Sequence, residues 1–389
     1  MRLGILASHP IQYHAPVFRA LAGQCDLTVF FAHRQTPQGQ AAAGFGVAFD
    51  WDVDLLSGYR HVFLRNQAAV PATNRFFGCN CPELDGLIAN RFDAFVVTGW
   101  ALFAYWQAVW ACRKRGIPVL IRGDSQLPLQ RRAALRVAKE IAYPWLLRSF
   151  NGFLYVGQRN REYLLHYGVA PDRLFFAPHC IDNRLFAAGA GDDPKQAPAP
   201  PGSQTKQVLF VGKLIERKRP ADIIDAVSIA RREGTDVEVV FVGDGKLRDR
   251  LAEHAARLHV PVRFVGFKNQ TELPGYYAAA DVIVLPSDSQ ETWGLVINEA
   301  MACGTPAIVS DAVGCGPDLI DTGCTGLVYP LAAVDALASA IREVIAWDRH
   351  VVRAALAAKV ETYSPDRAAQ GIVEGAAQLI SRRPRRGNA

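Results

Sequence analysis

Two glutamates lie on either side of a short glycine segment in the second half of the chain. Glu291 precedes Gly294-Leu295-Val296, Glu299 follows it, and an apolar strand is predicted just before, over 282–286. A helix that opens at this glycine would present N–H groups and a positive dipole end to a phosphate. A carboxylate on its first turns, here Glu299, could hold paired ribose hydroxyls. Either glutamate alone would equally fit a solvated face or a helix cap, so the prediction depends on the pair.

A cluster of cations follows another predicted strand. Residues 208–211 are apolar, Gly212 makes a turn, and Lys213, Lys218 and two arginines surround the helix start at Pro220. Several cations after a strand suit a pyrophosphate, whose negative charge grows as a glycosidic bond to it breaks. A solvated basic loop is the alternative for this segment.

A further glycine turn follows the strand predicted over 237–242. Gly243 and Gly245 begin a dinucleotide-binding fingerprint, but Arg248 stands where its third glycine belongs. The sequence therefore argues against an oxidoreductase with a Rossmann-type cofactor site.

Together these segments resemble the donor signature of the retaining glycosyltransferases of family 4, which have the fold called GT-B. The resemblance implies that Glu291 contacts hydroxyls of the transferred sugar. It implies that Glu299 binds the ribose of a nucleoside-diphosphate donor, and that the backbone of Gly294, Leu295 and Val296 holds the diphosphate. It extends over nearly the whole chain and is strongest over 208–329.

The same resemblance adds further donor residues. The family usually has arginine at Lys213 and lysine at Lys218, and both cations would stabilise the leaving diphosphate. Gly243 matches the next turn of the family pattern. Phe267 and Lys268 match a loop whose backbone commonly borders the base, and an ordinary β–α turn is the alternative there.

Candidates for the acceptor side lie in the first half. His9 and His14 follow the first predicted strand, and each could bind a substrate oxygen or serve a structural role. Counted from Ile117-Pro118, Asp124 occupies the position of a catalytic-side histidine in the family. A carboxylate there could stabilise positive charge at the sugar carbon or orient an acceptor hydroxyl. A turn-capping aspartate is the alternative.

Two short patterns could indicate a metal, and we expect neither to bind one. Asp52-Val53-Asp54 has the D-x-D spacing of a metal–nucleotide site, but nothing around it supplies phosphate chemistry. Cys79-Asn80-Cys81 lacks the spacer and the second ligand pair of a zinc site. We therefore expect metal-independent chemistry without a cofactor, with the nucleotide sugar as a substrate.

Short β runs alternate with helical patterns in both halves, which predicts parallel β-α-β units. The fold class is therefore α/β, and the resemblance implies two Rossmann-like, doubly wound parallel-sheet domains facing a central cleft. Ligands of such sheets bind at the carboxyl ends of the strands, where the candidate residues lie. The predicted strands cover residues 3–7, 27–32, 94–97, 119–122, 153–156, 207–211, 237–242, 262–265, 282–286 and 306–309.

Composition divides the chain into four parts. We expect an acceptor-binding domain over 1–186 and a donor-binding domain over 206–363. Between them, residues 187–205 are rich in proline, which disfavours helix and strand and predicts a linker. A last segment over 364–389 ends in a basic tail, and the resemblance implies that its helix returns to the first domain.

Charge and hydropathy limit the other partners. The net charge of +6 is modest, so we expect no nucleic-acid partner. Residues 94–112 lack charge, but Thr98-Gly99 divides them into a strand and a helix over 100–115, which argues against a spanning helix. The first residues match a strand and not a signal peptide, which predicts a cytoplasmic protein. A basic, Trp-containing pattern over 130–150, broken at Pro144, leaves peripheral binding at the inner face of the membrane open.

The resemblance implies hexose transfer with retention at the anomeric carbon, by an enzyme of class EC 2.4 in surface polysaccharide or glycan synthesis. The donor would be a UDP- or GDP-sugar and the acceptor a saccharide or a lipid-linked sugar. One alternative is a sugar-nucleotide epimerase or hydrolase on the same fold, and another is a non-catalytic module that binds nucleotide sugars. The intact Glu291 and Glu299 pair argues against the module. The base, the sugar, the acceptor linkage and the oligomeric state stay open.

Overall fold

The computed structural model describes residues 1–40, 48–89, 91–127, 133–191 and 205–382. These residues form two compact units. Unit 1 contains residues 1–35, 54–179 and the described residues from Pro365 onward, and unit 2 contains 36–53 and 180–364. The division differs from the predicted first domain of 1–186, because 36–53 and 180–186 belong to unit 2.

Seven parallel strands form the sheet of unit 1. They are β1 (Arg2–Ala7), β2 (Asp26–Phe31), β3 (Arg60–Phe63), β4 (Ala94–Val97), β5 (Val119–Gly123), β6 (Gly152–Tyr155) and β7 (Leu174–Phe176). Their order is β3-β2-β1-β4-β5-β6-β7. Central strands such as β4 are buried along their whole length, which explains their unbroken apolar sequences.

Six parallel strands form the sheet of unit 2, in the order β10-β9-β8-β11-β12-β13. They are β8 (Lys206–Val211), β9 (Val237–Val242), β10 (Val262–Gly266), β11 (Val282–Leu285), β12 (Ala307–Ser310) and β13 (Gly326–Tyr329). Both sheets reverse their strand order once, between β1 and β4 and between β8 and β11. Ligands of open sheets bind at such a reversal, beyond the carboxyl ends of the strands.

Helices cover the sheets of both units. Those of unit 1 are α1 (Ala15–Ala22), α3 (Leu84–Ile88), α4 (Phe103–Lys114), α5 (Ala133–Leu147), α6 (Gln158–His166) and α15 (Pro365–Ser381). Those of unit 2 are α2 (Pro37–Gln40), α7 (Asn183–Ala190), α8 (Pro220–Arg232), α9 (Arg248–Arg257), α10 (Leu273–Ala279), α11 (Leu295–Ala302), α12 (Gly316–Leu319), α13 (Val334–Ile345) and α14 (Arg349–Thr362). In the described part of the chain, no helix combines the length and the apolar character needed to span a bilayer.

Some helix boundaries differ from the sequence-based expectations. Pro144 does not break α5 but lies inside it, three residues before its C-terminal end. The helix expected over 100–115 begins only at Phe103. The predicted linker start at 187 is wrong, because α7 continues to Ala190. The rest of the proline-rich stretch, 192–204, and the basic tail, 383–389, lie outside the described residues, as do the first residues of the 130–150 pattern.

The last helix, α15, packs on unit 1. It contacts α1 and the strands β6 and β7. At Gly371 the approach is so close that a Cβ atom would lie 1.8 Å from the carbonyl oxygen of Phe176 in β7. Glycine therefore lets this helix lie directly against the edge strand.

Candidate functional site

Glycine backbones join the loops that follow β8, β9 and β10. The N–H of Gly212 donates to the carbonyl of Val242 at 2.9 Å, and the N–H of Gly243 donates to the carbonyl of Gly266 at 2.7 Å. Gly243 has φ +121°, and a Cβ there would lie 2.1 Å from the oxygen of Gly212. The predicted residues Gly212 and Gly243 thus have a packing role, and their contact with a donor stays a prediction.

Lys218 and Glu291 form an ion pair between the loops after β8 and β11, the two strands at the reversal of the sheet. Their side chains are only 12% and 15% exposed. The main chain joins the same loops, since the N–H of Asp288 donates to the carbonyl of Arg217 at 2.9 Å. The sequence placed both residues in one site, but it did not predict that they would pair.

Lys213 lies half-buried in the loop that also carries Lys218. Burial lowers the pKa of Lys213, and the positive charges of Arg217 and Lys218 lower it further. Cations that repel each other in a partly buried loop are stabilised by an anionic ligand, and a diphosphate carries enough charge to satisfy several of them.

Helix α11 begins at Leu295, directly after Gly294 and four residues after Glu291. Gly294 has φ +104°, and a Cβ there would lie 2.6 Å from a methyl group of Leu285, so no other residue fits without a shift. Because glycine has no side chain, it does not cap the N–H groups of the helix. Leu295 and Val296 form the first turn and are half-buried. An uncapped helix start is the geometry that binds a phosphate.

Glu299 is buried on α11 and is 6% exposed. The O–H of Tyr277, on α10, donates to Oε2 of Glu299 at 2.5 Å. Burial raises the pKa of Glu299 to about 7, while the hydrogen bond from Tyr277 acts in the opposite direction. The carboxyl therefore changes its charge near neutral pH. The sequence missed Tyr277, because a tyrosine in an apolar helix resembles ordinary core.

The loop that was predicted to border a base is engaged by other groups in the structure. Phe267 packs against Phe49 with ring centroids 4.4 Å apart. Nζ of Lys268 donates to Oε1 of Glu272 at 2.8 Å, and this carboxylate raises the pKa of the lysine. Phe49 was not among the predicted site residues, and its sequence offers no signal for a partner so distant along the chain.

The D-x-D pattern supports loops by hydrogen bonds. Oδ2 of Asp52 accepts from the N–H of Thr271 at 3.1 Å, which fastens 48–53 to the loop after β10. Oδ1 of Asp54 accepts from the N–H groups of Leu56 and Ser57 at 2.9 and 3.1 Å. Across the described residues, no group of three or more His, Cys, Asp or Glu side chains could hold a metal ion.

Asp124 of unit 1 lies directly after β5 and is half-exposed. Its Oδ2 is 3.8 Å from Nε2 of His179, which follows β7. The ring of Tyr13 packs edge-on against both His179 and His14, at centroid distances of 5.9 and 4.7 Å. The sequence missed His179 because it did not predict β7, although a histidine just after a strand is a usable signal.

The predicted histidines of unit 1 are neutral. Burial, and then the charge of His33, lower the pKa of His9 to about 4. Burial, and then Arg122, lower the pKa of His14 well below its ordinary value. Nδ1 of His14 has no hydrogen-bond partner among the described residues. A neutral imidazole can both donate and accept a hydrogen bond, so His9 and His14 suit an uncharged hydroxyl ligand.

Comparison with known proteins gives matches centred on unit 2. Residues 192–360 match the family described as glycosyl transferases group 1. A glycogen synthase of Mycobacterium tuberculosis is 36% identical over 147 residues, which are 37% of this chain and 35% of that protein. A GDP-mannose-dependent alpha-(1-6)-phosphatidylinositol dimannoside mannosyltransferase of the same species is 32% identical over 171 residues, 43% of each chain. The chain thus spans about a third to two fifths of the length of these curated relatives.

Among solved structures, that of Anabaena HepE in complex with UDP and glucose is similar over both units. It covers 97% of this chain and 100% of its own, with a TM-score of 0.69 and 18% sequence identity. At this identity the similarity shows the fold. The chain has the GT-B fold of two Rossmann-like parallel-sheet domains, which confirms the predicted fold class.

Proposed function

We propose that this protein is a glycosyltransferase of class EC 2.4 that transfers a hexose from a nucleoside-diphosphate sugar. The Lys218–Glu291 pair carries the proposal, because it joins a mostly buried cation to a carboxylate that lies four residues before the start of α11. The similarity of 192–360 to group 1 glycosyltransferases, which includes all of these residues, supports it.

In this proposal each predicted donor residue of unit 2 contacts one part of the nucleotide sugar. Lys213, Lys218 and the N–H groups of Leu295 and Val296 stabilise the diphosphate as the glycosidic bond breaks. Glu291 accepts hydrogen bonds from the transferred sugar. The remaining contacts are to the nucleoside, with Glu299 at the ribose, the backbone of Phe267 and Lys268 at the base, and the turn at Gly243 beside them.

We also propose retention of the anomeric configuration, without a metal and without a protein nucleophile. A donor phosphate oxygen would then help to deprotonate the acceptor hydroxyl, and no described residue needs to form a covalent intermediate. Asp124 would orient the acceptor or stabilise positive charge at the sugar carbon. His9, His14 and His179 would exchange hydrogen bonds with acceptor hydroxyls.

UDP- and GDP-sugars are both proposed donors. HepE is described in complex with UDP, and the mycobacterial mannosyltransferase is described as GDP-mannose-dependent. A saccharide or lipid-linked acceptor, in surface polysaccharide or glycan synthesis, is proposed because the similar proteins are named as a glycogen synthase and a phosphatidylinositol dimannoside mannosyltransferase. We place the protein in the cytoplasm, with α5 as a site of peripheral contact with the inner face of the membrane.

The test is turnover of a panel of UDP- and GDP-hexoses, with and without a chelator and an added saccharide acceptor. We expect one donor to release nucleoside diphosphate only when acceptor is present, with chelator having no effect, and NMR to show a product of unchanged anomeric configuration. Free sugar without acceptor would indicate a hydrolase, and an isomerised donor an epimerase. Donor binding without turnover would indicate a binding module, and no binding at all would contradict the donor site.

A further inference from the structure

Tyr277 is fully buried and is held at two points. Its O–H donates to Oε2 of Glu299 at 2.5 Å. Its own carbonyl oxygen accepts from Oγ1 of Thr305 at 2.6 Å, and Thr305 is also fully buried. The ring packs beside that of Phe186 on α7, with centroids 6.1 Å apart. The phenol is therefore held in one orientation, in which its O–H donates to a single carboxylate oxygen.

Helix α10 connects this tyrosine to the loop proposed for the base. Glu272 caps the preceding loop, accepting from Nζ of Lys268 at 2.8 Å and from the N–H of Asn269 at 3.1 Å. Tyr277 follows on the same short helix. A displacement of α10 would therefore move the base loop and the partner of Glu299 together.

We propose that Tyr277 is the positioning residue for recognition of the ribose: its O–H fixes Oε2 of Glu299, so that the other carboxylate oxygen is aimed at the ribose hydroxyls. A carboxylate that is anchored at one oxygen cannot rotate without losing a short hydrogen bond to a charged group. The inference rests on the proposed function, because it requires Glu299 to bind the ribose.

The test compares ribose and 2′-deoxyribose nucleotides on the wild type and on Tyr277→Phe, a substitution that removes only the hydroxyl. Calorimetry would give the Kd of UDP and GDP and of their 2′-deoxy counterparts for each protein. For the nucleotide that binds, we expect the wild type to prefer the ribose form by about tenfold, the usual size of a hydrogen bond to a charged group. We expect this preference to fall below about threefold in Tyr277→Phe. An unchanged preference would overturn the inference.

Tyr363→Phe is the matched control. Tyr363 donates to Oδ1 of Asp318 at 2.9 Å in the same unit, so the variant loses an equivalent bond and should keep the ribose preference. The double variant Tyr277→Phe/Glu299→Gln avoids a buried carboxylate without its donor, should Tyr277→Phe fold poorly. We expect it to bind like Glu299→Gln alone; a further loss of ribose preference would show that Tyr277 acts by another route. If the wild type binds neither diphosphate, the proposed function itself fails.

Discussion

Glu299 is an acid that the fold keeps from water at a cost in stability. Its pKa rises from the ordinary 4.5 to about 7, so the folded chain holds this proton more tightly than the unfolded chain does. The stability contributed by the protonated form is complete below pH 4.5 and is lost as the pH rises through 7. Two titratable groups that interact with it are the Tyr277 hydroxyl and the thiol of Cys303, directly after α11.

Glu299→Gln should therefore stabilise the protein at high pH and weaken nucleotide binding. Its amide oxygen can still accept from Tyr277, and it never ionises. At pH 8 we expect the free energy of unfolding to rise by roughly 2–3 kcal/mol, since one pKa unit corresponds to about 1.4 kcal/mol. Toward pH 5 the gain should disappear. Chemical denaturation at both pH values measures it, and a gain that is equal at the two would contradict the buried ionisation.

Lys218→Ala should lower turnover more than it lowers stability. The lysine is proposed to neutralise the leaving diphosphate, and loss of one such contact costs about 100-fold in kcat. Lys359→Ala is the control. Nζ of Lys359 forms an ion pair with Oδ2 of Asp321 at a distance of 2.7 Å, and neither residue belongs to the proposed site. Release of nucleoside diphosphate gives kcat for each protein. A Lys218→Ala enzyme with wild-type kcat would remove Lys218 from the site.

At the scale of elements, the strands that the sequence missed share a position. β3 and β7 are the two edges of the sheet in unit 1, and β13 is an edge in unit 2. Edge strands are often short or partly exposed, which weakens the apolar pattern that identifies buried strands, and β7 has only three residues. β3, for example, has the sequence Arg-His-Val-Phe. Central strands were predicted because burial on both faces dictates their composition.

Sequence patterns identified candidate site residues that follow one strand, but not the contacts between distant segments. Glu291, Gly294 and Glu299 were found from local spacing. The pairing of Glu291 with Lys218 joins residues 73 positions apart, and that of Asp52 with Thr271 spans 219. No local pattern encodes such contacts, because the sheet topology brings these residues together.

Helix α5 has an apolar stripe that should bind an anionic membrane. Val137, Ile141 and Trp145 recur every fourth residue and are 55%, 66% and 69% exposed. The guanidinium of Arg148 lies 4.5 Å from the centroid of the Trp145 ring. Exposed apolar groups beside cations suit a lipid surface with negative charge.

We expect Ile141→Asp to reduce binding to vesicles of phosphatidylglycerol and phosphatidylcholine about tenfold, the effect of losing one buried aliphatic side chain. Val351→Asp is the control, because Val351 is 70% exposed on α14 of unit 2. Co-sedimentation measures the bound fraction. A wild-type protein that does not sediment with these vesicles would contradict the proposed contact.

At the scale of the whole molecule, the order of the chain does not follow the two units. Residues 36–53 leave unit 1 and belong to unit 2, while residues from Pro365 onward return to unit 1. Composition predicted a linker over 187–205, but it could not reveal these exchanges, because they depend on contacts between distant segments. Substitutions in α15 should therefore lower the stability of unit 1 and not that of unit 2.

Gly371→Ala should destabilise unit 1 and leave nucleotide binding unchanged. A Cβ at Gly371 would lie 1.8 Å from the backbone oxygen of Phe176, so α15 must move away from β7. Overpacking of this kind costs about 1–3 kcal/mol. Gly86→Ala on α3 is the matched control, because a Cβ there meets no atom within 4 Å. This substitution should raise the free energy of unfolding by about 0.4–1 kcal/mol. Scanning calorimetry with and without UDP or GDP separates the effects: the nucleotide should raise the transition of unit 2 equally in both variants. If Gly371→Ala abolished that shift while the protein was still folded, the assignment of α15 to unit 1 alone would be wrong.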